Sequence, residues 1–234
     1  GDRALVYDTG GGDPHGANMG SMVVLPYLRQ QGIRSLDTLV ISHPDLDHSA
    51  GTAVMLEAMD VERLRFGSAP AGVDGGRPCV AGESWRWPGG PIFQFLSPAL
   101  ENLDSTNDSS CVLQVQVGDV RILLPGDITE QRERTVAQYW GGQLNSDWLL
   151  AAHHGSKTSS SATFLKQVQP VAVVISSGYA NRFGHPPQTV VQRLVDRGVT
   201  IYSTATDGAL EFAIETGEPL RVEAFRQLER RYWM

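Results

Sequence analysis

The chain has 234 residues, with 19 Lys and Arg against 26 Asp and Glu, giving a formal net charge of −7. Hydrophobic residues make up 41% and charged residues 19%, an ordinary balance that excludes collagen-like, coiled-coil and disordered chains. The acidic excess argues against a broad basic surface for nucleic acid, but not against a metal-lined cleft whose cations supply local positive charge.

The length fits one domain over 1–234, and no linker interrupts it. The longest clean apolar runs, 148–152 and 171–175, are five residues each, far short of the roughly 18 that a membrane span needs. Cys79 and Cys111 stand apart without a CxxC. They read as two core or surface thiols, with a single disulfide in an oxidising compartment as the alternative. The first residues are already strand-like, which reads as the cut edge of a larger protein.

In chain order, a strand at 5–7 ends at Asp8-Thr9-Gly10-Gly11-Gly12, and a helix at 20–31 stops at Gly32. A buried strand at 36–42 feeds directly into His43, followed by a helix at 49–59 and a strand at 63–66. The Gly/Pro-rich stretch 67–91 reads as an excursion closing in a hairpin, with 83–87 pairing 92–96. Strands 111–117 and 120–125 meet across Gly118-Asp119. Helix 129–140, strand 147–152, helix 160–168, strand 171–176 and helix 187–197 come next, with final strands at 199–203, 209–215 and 221–225. Hairpins mixed with helices predict a layered α/β fold without the βαβ regularity of a doubly wound sheet.

The sharpest signal is Ser42-His43-Pro44-Asp45-Leu46-Asp47-His48. In extended chain His43, Asp45 and Asp47 project to one side, and His48 joins as a helix begins. Four potential ligands at the end of a rigid strand make a framework for a metal pair; an N-cap Asp beside chance histidines is the plainer reading. Leu124-Pro125-Gly126-Asp127 brings another carboxylate to a strand end, a pattern also common in turns. In the segment from His153 to Ser161, two histidines precede Gly155, Ser156, Lys157, Thr158 and three serines. That composition suits a metal ligand beside a phosphate cradle of backbone N–H groups, or a Ser/Thr-rich helix N-cap. The loop Gly178-Tyr179-Ala180-Asn181-Arg182-Phe183-Gly184-His185 again succeeds a buried strand. Five of the six histidines fall in these clusters, and only His15 lies outside them.

His43-x-Asp45-x-Asp47-His48 is similar to the HxHxDH signature of the metallo-β-lactamase superfamily. The wider set resembles the C-terminal domain of the ComEC family of bacterial DNA-internalisation competence proteins. That set comprises Asp8-Thr9-Gly10, the 42–48 motif, 107–113, the Gly126-Asp127 strand end, 153–161 and the Asn181-Arg182-Phe183-Gly184-His185-Pro186 loop. The resemblance implies an α/β fold, an αββα four-layer sandwich with a dinuclear site. It also implies a membrane channel protein of the bacterial inner membrane, with this domain on its outer, periplasmic face. It implies degradation of the DNA strand that does not enter the cell.

The sequence departs from the family pattern in two respects. The strand that usually opens the family's domain, with its DVGQGD-like turn, is not found before residue 5. The usual histidine between the first motif and the bridging carboxylate is absent, with Asn107 and Ser109-Ser110 in its region, so one ion is expected to be more weakly held.

The superfamily scheme assigns His43 and Asp45 to one ion, Asp47, His48 and His153 or His154 to the other, and Asp127 as the bridge. His153 is favoured as the ligand because it comes first off the strand. Asp8 is expected to orient a ligand histidine. Asp47 counts as catalytic as well as a ligand, and His154 or His185 is the candidate proton source for the leaving oxygen. Lys157, Asn181 and Arg182, with Ser156, Asn107 and Ser110, are the candidate phosphate contacts. Asp45 in place of histidine hardens the ligand set, so Mn²⁺ stands beside Zn²⁺ as the expected pair of divalent ions. The expected function is therefore a metal-dependent deoxyribonuclease acting on DNA, in particular single-stranded, with the parent's transmembrane channel as partner and the isolated domain monomeric. The alternatives are hydrolysis of a small phosphodiester, lactone or thioester by the same site, and a non-catalytic, metal-binding module that guides DNA.

Overall fold

The computed structural model describes residues 3–98, 106–214 and 220–228. The chain divides into two compact units, 1–83 with 95–112 and 84–94 with 113–234.

In the first unit β1 (Leu5–Tyr7), β2 (Ser35–Ile41), β3 (Asp60–Phe66) and β4 (Arg77–Pro78) form an all-parallel sheet in that order. β2 is buried from Leu36 to Ile41, as expected for a central strand covered on both faces. A wide helical turn, Gly20–Val24, runs into α1 (Leu25–Gln30); α2 (Leu46–Ser49) and α3 (Thr52–Ala58) come after β2. Leu25, Leu28, Met55 and Met59 pack against Leu36, Leu39, Ile41 and Phe66 to make this unit's core. The start of the wide turn lies close to the α2–α3 junction: a Cβ on Gly20 would come 2.7 Å from the Gly51 Cα.

The second unit takes in most of a seven-stranded sheet, ordered β11-β10-β9-β8-β7-β6-β5. Its strands are β5 (Ser84–Arg86), β6 (Ile92–Ser97), β7 (Val112–Val117), β8 (Val120–Leu124), β9 (Trp148–Leu150), β10 (Ala172–Ile175) and β11 (Thr200–Ser203). The two expected hairpins are present. Trp85 lies opposite Phe93, with their rings stacked at 4.9 Å, and Val117 lies opposite Val120 across Gly118, whose φ is +57°. From β8 to β11 every pairing is parallel, with α4 (Glu130–Trp140), α5 (Ala162–Val168) and α6 (Gln188–Val195) as the crossovers. β12 (Leu210–Ala213) and β13 (Arg221–Ala224) form a separate two-stranded sheet, with α7 (Thr204–Asp207) and α8 (Phe225–Leu228) before and after them. Both units thus contain βαβ crossovers, and beside the two hairpins these make the mixed, layered α/β arrangement that the sequence predicts. Tight turns announce hairpins in the sequence, whereas parallel pairing is made by residues far apart in the chain. No helix among the described residues is long and apolar enough to cross a membrane.

The two cysteines are joined, Cys79 to Cys111, which corrects the expectation of separate thiols. The Cys79 N–H donates to the Phe66 carbonyl at the end of β3, and the Cys111 N–H donates to the Ser42 carbonyl at the end of β2. Neighbouring strand ends therefore bring together two cysteines 32 residues apart. Gly67 makes this approach possible, because a Cβ there would lie 1.9 Å from the Ser109 carbonyl oxygen and 2.3 Å from that of Ser42. Closing a loop of this length removes chain entropy worth about 3–4 kcal/mol from the unfolded state. Reduction, or a Cys79→Ala/Cys111→Ala double substitution, is expected to lower the unfolding free energy by about 2–4 kcal/mol. Urea denaturation with and without dithiothreitol measures this, and the double variant is expected to be insensitive to the reductant.

Candidate metal centre

In the first unit β1 and β2 end side by side, and the Asp8 N–H continues their ladder to the Val40 carbonyl. Asp8 then adopts a left-handed conformation, φ +64°, which is unfavourable for a residue with a Cβ. In this position its carboxylate accepts three hydrogen bonds: from Ser42 N–H at 2.6 Å, from Ser42 Oγ at 2.9 Å and from His48 Nδ1 at 2.7 Å. Because Ser42 Oγ gives its proton to Asp8, it acts as acceptor for His43 Nδ1 at 3.0 Å. Both imidazoles are therefore fixed with the proton on Nδ1 and the Nε2 lone pair available. His43 Nε2 lies 3.7 Å from Asp45 Oδ2, and His48 Nε2 lies 4.0 Å from Asp47 Oδ2. The histidine side chains are almost wholly buried, while those of Asp45 and Asp47 are 45% and 58% exposed. Asp45 occupies the N-cap position of α2, yet its carboxylate makes no capping bond, so capping does not account for it. Asp47 lies within α2 rather than in extended chain as expected, because the helix already begins at Leu46.

In the second unit Asp127 succeeds Gly126, whose φ is +61°, beyond the end of β8. After β9 the chain passes through three successive left-handed residues, His153 (φ +52°), His154 (φ +55°) and Gly155 (φ +77°). Two such non-glycine residues together cost on the order of 1–3 kcal/mol each. Hydrogen bonds from His153 N–H to the Gly126 carbonyl and from Ser156 N–H to the His153 carbonyl hold them in place. The Nε2 atoms of both histidines lie 3.7 Å from Asp127 Oδ2. Their other nitrogens differ. His154 Nδ1 donates to the Ser176 carbonyl at 2.9 Å, whereas His153 Nδ1 is buried without a hydrogen-bond partner among the described residues. The His185 ring centroid is 6.1 Å from that of His153. Burial, then the repulsion of His153 and His154, lowers the His185 pKa from its ordinary value.

Each Nε2-to-carboxylate gap exceeds a hydrogen bond. Two donors that share one ion at about 2.0–2.2 Å are separated by roughly 3–4 Å. The orientation by Asp8, Ser42 and Ser176 matches the way ligand histidines are held in metal sites. The donor set fits divalent ions.

The expected phosphate contacts fare unevenly. Ser110 is fully buried and donates its hydroxyl to the Asn107 carbonyl. The Asn181 amide is engaged by its own loop, donating to the Gly178 and His185 carbonyls and accepting from His185 N–H. Ser156 is buried, with its hydroxyl against that of Thr158. Lys157 and Arg182 remain exposed. The anion cradle expected at 156–161 already holds a side chain, the fully buried Glu133 of α4, whose carboxylate accepts the Ser160 and Ser161 N–H groups. Nothing in the sequence marks Glu133, because α4 reads as a charged helix and its partner lies 27 residues away.

Residues 1–68 match the model of the metallo-β-lactamase superfamily. The chain is 37% identical to competence protein ComA of Neisseria gonorrhoeae, over 99% of this chain and 32% of that protein. The chain is a metallo-β-lactamase domain similar to part of the competence proteins. This metallo-β-lactamase domain is also 36% identical to recombination protein 2 of Haemophilus influenzae, over 88% of the chain and 26% of that protein. It is 30% identical to ComE operon protein 3 of Bacillus subtilis, over 85% and 27% respectively. The chain thus spans about a third or less of the length of these relatives. Among solved structures, a variant of the β-hydroxylase CmlA matches 73% of the chain and 43% of its own, with a TM-score of 0.50 and 13% identity. At this identity the likeness concerns the α/β fold alone.

Replacing Asp8 by Ala removes the acceptor that orients His48, and is expected to weaken Mn²⁺ or Zn²⁺ binding about 10–100-fold, as measured by titration calorimetry. A second prediction concerns Glu133. Burial raises its pKa above the ordinary 4.5. A carboxyl raised on folding stabilises the protein fully below its unfolded value, and that contribution is lost as the pH climbs through the folded value. Glu133→Gln is therefore expected to gain stability relative to the parent as the pH rises above the ordinary 4.5, as read from paired urea titrations.

Proposed function

We propose that this domain is a two-metal deoxyribonuclease that degrades the strand not taken up during natural transformation. The observation that supports this reading is the set of three histidines, His43, His48 and His154. Each is fixed through Nδ1 by an oxygen and presents Nε2 to a carboxylate at 3.7–4.0 Å. His43 and Asp45 would hold one ion, Asp47, His48 and His154 the other, with Asp127 as the bridge. His154 replaces His153 in the ligand role because the Ser176 carbonyl fixes its tautomer. Three ligand carboxylates against two divalent ions leave the centre positive, so a phosphodiester is acceptable to an otherwise acidic chain. When bound, the ions supply Lewis acidity and a nucleophile from water at neutral pH. The chain's own contribution is orientation: Asp8 and Ser42 hold the imidazoles, Asp47 positions the attacking water, and Lys157 stands free to meet a phosphate. Mn²⁺ is favoured beside Zn²⁺ because carboxylates outnumber the usual set.

The competence relatives support a role in DNA uptake, with a transmembrane channel in the same parent as partner and DNA as substrate. The Cys79–Cys111 disulfide supports an oxidising, extracytoplasmic location on the outer face of the inner membrane. A monomer completes the reading.

Labelled single- and double-stranded DNA incubated with Mn²⁺, Zn²⁺, Mg²⁺ or EDTA tests the proposal. Metal-dependent cleavage is expected, falling more than about 100-fold in Asp47→Ala, and further in His154→Ala than in His153→Ala. Absence of cleavage with every metal overturns the nuclease reading, and turnover of small phosphodiesters alone replaces the substrate.

A further inference from the structure

The loop between β10 and α6 carries two largely exposed aromatic side chains. Tyr179 is 77% exposed and Phe183 is 65% exposed. Exposed aromatics on a loop are ordinary when the loop is loose, but this loop is braced from within. Asn181 accepts the His185 N–H at 3.0 Å, donates to the His185 carbonyl at 2.7 Å and donates to the Gly178 carbonyl at 3.1 Å. The ring of Phe183 lies nearly parallel to that of His185, 18° apart with centroids at 5.9 Å, and the Arg182 guanidinium sits 4.7 Å from the Phe183 centroid. His185 in turn neighbours His153, whose Nε2 faces Asp127. The result is a positioned apolar face with a cation attached, separated from Asp127 by the imidazoles of His185 and His153.

We infer that Phe183, with Tyr179 and Arg182, forms a stacking platform that receives unpaired nucleobases and makes the site selective for single-stranded nucleic acid. This rests on the nuclease reading and goes beyond it by naming the part of the substrate that is recognised. A flat aromatic face paired with an arginine binds bases of any identity, since every base has a π-face. Bases inside a duplex already have both faces stacked, so only unpaired ones gain. Arg182, expected from sequence to clamp a phosphate, thereby takes a different role: it covers the ring and supplies the charge beside it. Lys157 and the metal ligands would engage the backbone, while Phe183 and Tyr179 engage the bases.

The test compares cleavage of two fluorescent single strands of equal length by the metal-loaded protein. One carries ordinary bases and the other has tetrahydrofuran abasic residues around the scissile phosphates, so the phosphodiesters are the same and only the stacking partner differs. The parent protein is expected to favour the base-bearing strand in kcat/KM by about 5–150-fold. Phe183→Ala and the Tyr179→Ala/Phe183→Ala double variant are expected to lose most of that preference by slowing only the base-bearing strand, and Phe183→Trp to keep it. If the parent cuts both strands equally, or if the alanine variants retain the preference, the platform is overturned while the nuclease reading stands. Equal loss on both strands in Phe183→Ala gives the ring a structural role and also overturns it. If no strand is cut with any metal, the nuclease reading falls and the platform falls with it.

Discussion

The carboxylate of Asp8 is the interaction on which the ligand cluster of the first unit depends. It terminates β1, turns back in a left-handed conformation, and accepts the backbone and hydroxyl of Ser42 together with the imidazole of His48. One anion thereby fixes the end of β2, orders the serine that holds His43, and sets the tautomer of His48. The arrangement needs a rigid base. The parallel pairing of β1 with β2 and the core around Leu39, Ile41 and Met55 supply one, and the disulfide joins Cys79 after β4 to Cys111 before β7, each hydrogen-bonded to the end of β3 or β2. A charge-assisted network of this kind is strong because it is partly dry, and each member is costly to remove for the same reason.

The second unit solves the same problem with backbone rather than with a carboxylate. His154 is oriented by the Ser176 carbonyl at the end of β10, and reaching that position requires the chain to hold two histidines in left-handed conformations. Hydrogen bonds in the adjoining serine-rich segment offset that strain. Glu133 binds the N–H groups of Ser160 and Ser161, Ser161 caps α5 through Phe164, and Arg193 of α6 donates to the Ser159 and Ser160 carbonyls. The segment is thus a clasp between α4, α5 and α6, and its composition reflects this packing as much as any ligand.

Much of the site was legible because ligand chemistry is local. His43, Asp45, Asp47 and His48 are gathered by one strand end and one short helix, so their spacing alone carries the message, and Asp8 was recognisable from its position after β1. Ser110 and Asn181 misled for a physical reason: small polar residues in a motif serve backbone closure as readily as substrate, and only their partners distinguish the two. Glu133 carried no signal, since a buried carboxylate is identified by the donors it meets and these lie in another helix's approach.

The sequence by itself determined the element types, the two hairpins, the histidine and carboxylate clusters and the superfamily they resemble. All of these arise from residues within about ten positions of each other, where periodicity and turn chemistry act directly. Only the tertiary structure decided the parallel sheet order, the Cys79–Cys111 bond, the hydrogen bond from His154 to the Ser176 carbonyl and the occupation of the serine cradle by Glu133. Each of these is a meeting of segments separated by 20 or more residues, fixed by how strands align and helices pack rather than by any local preference.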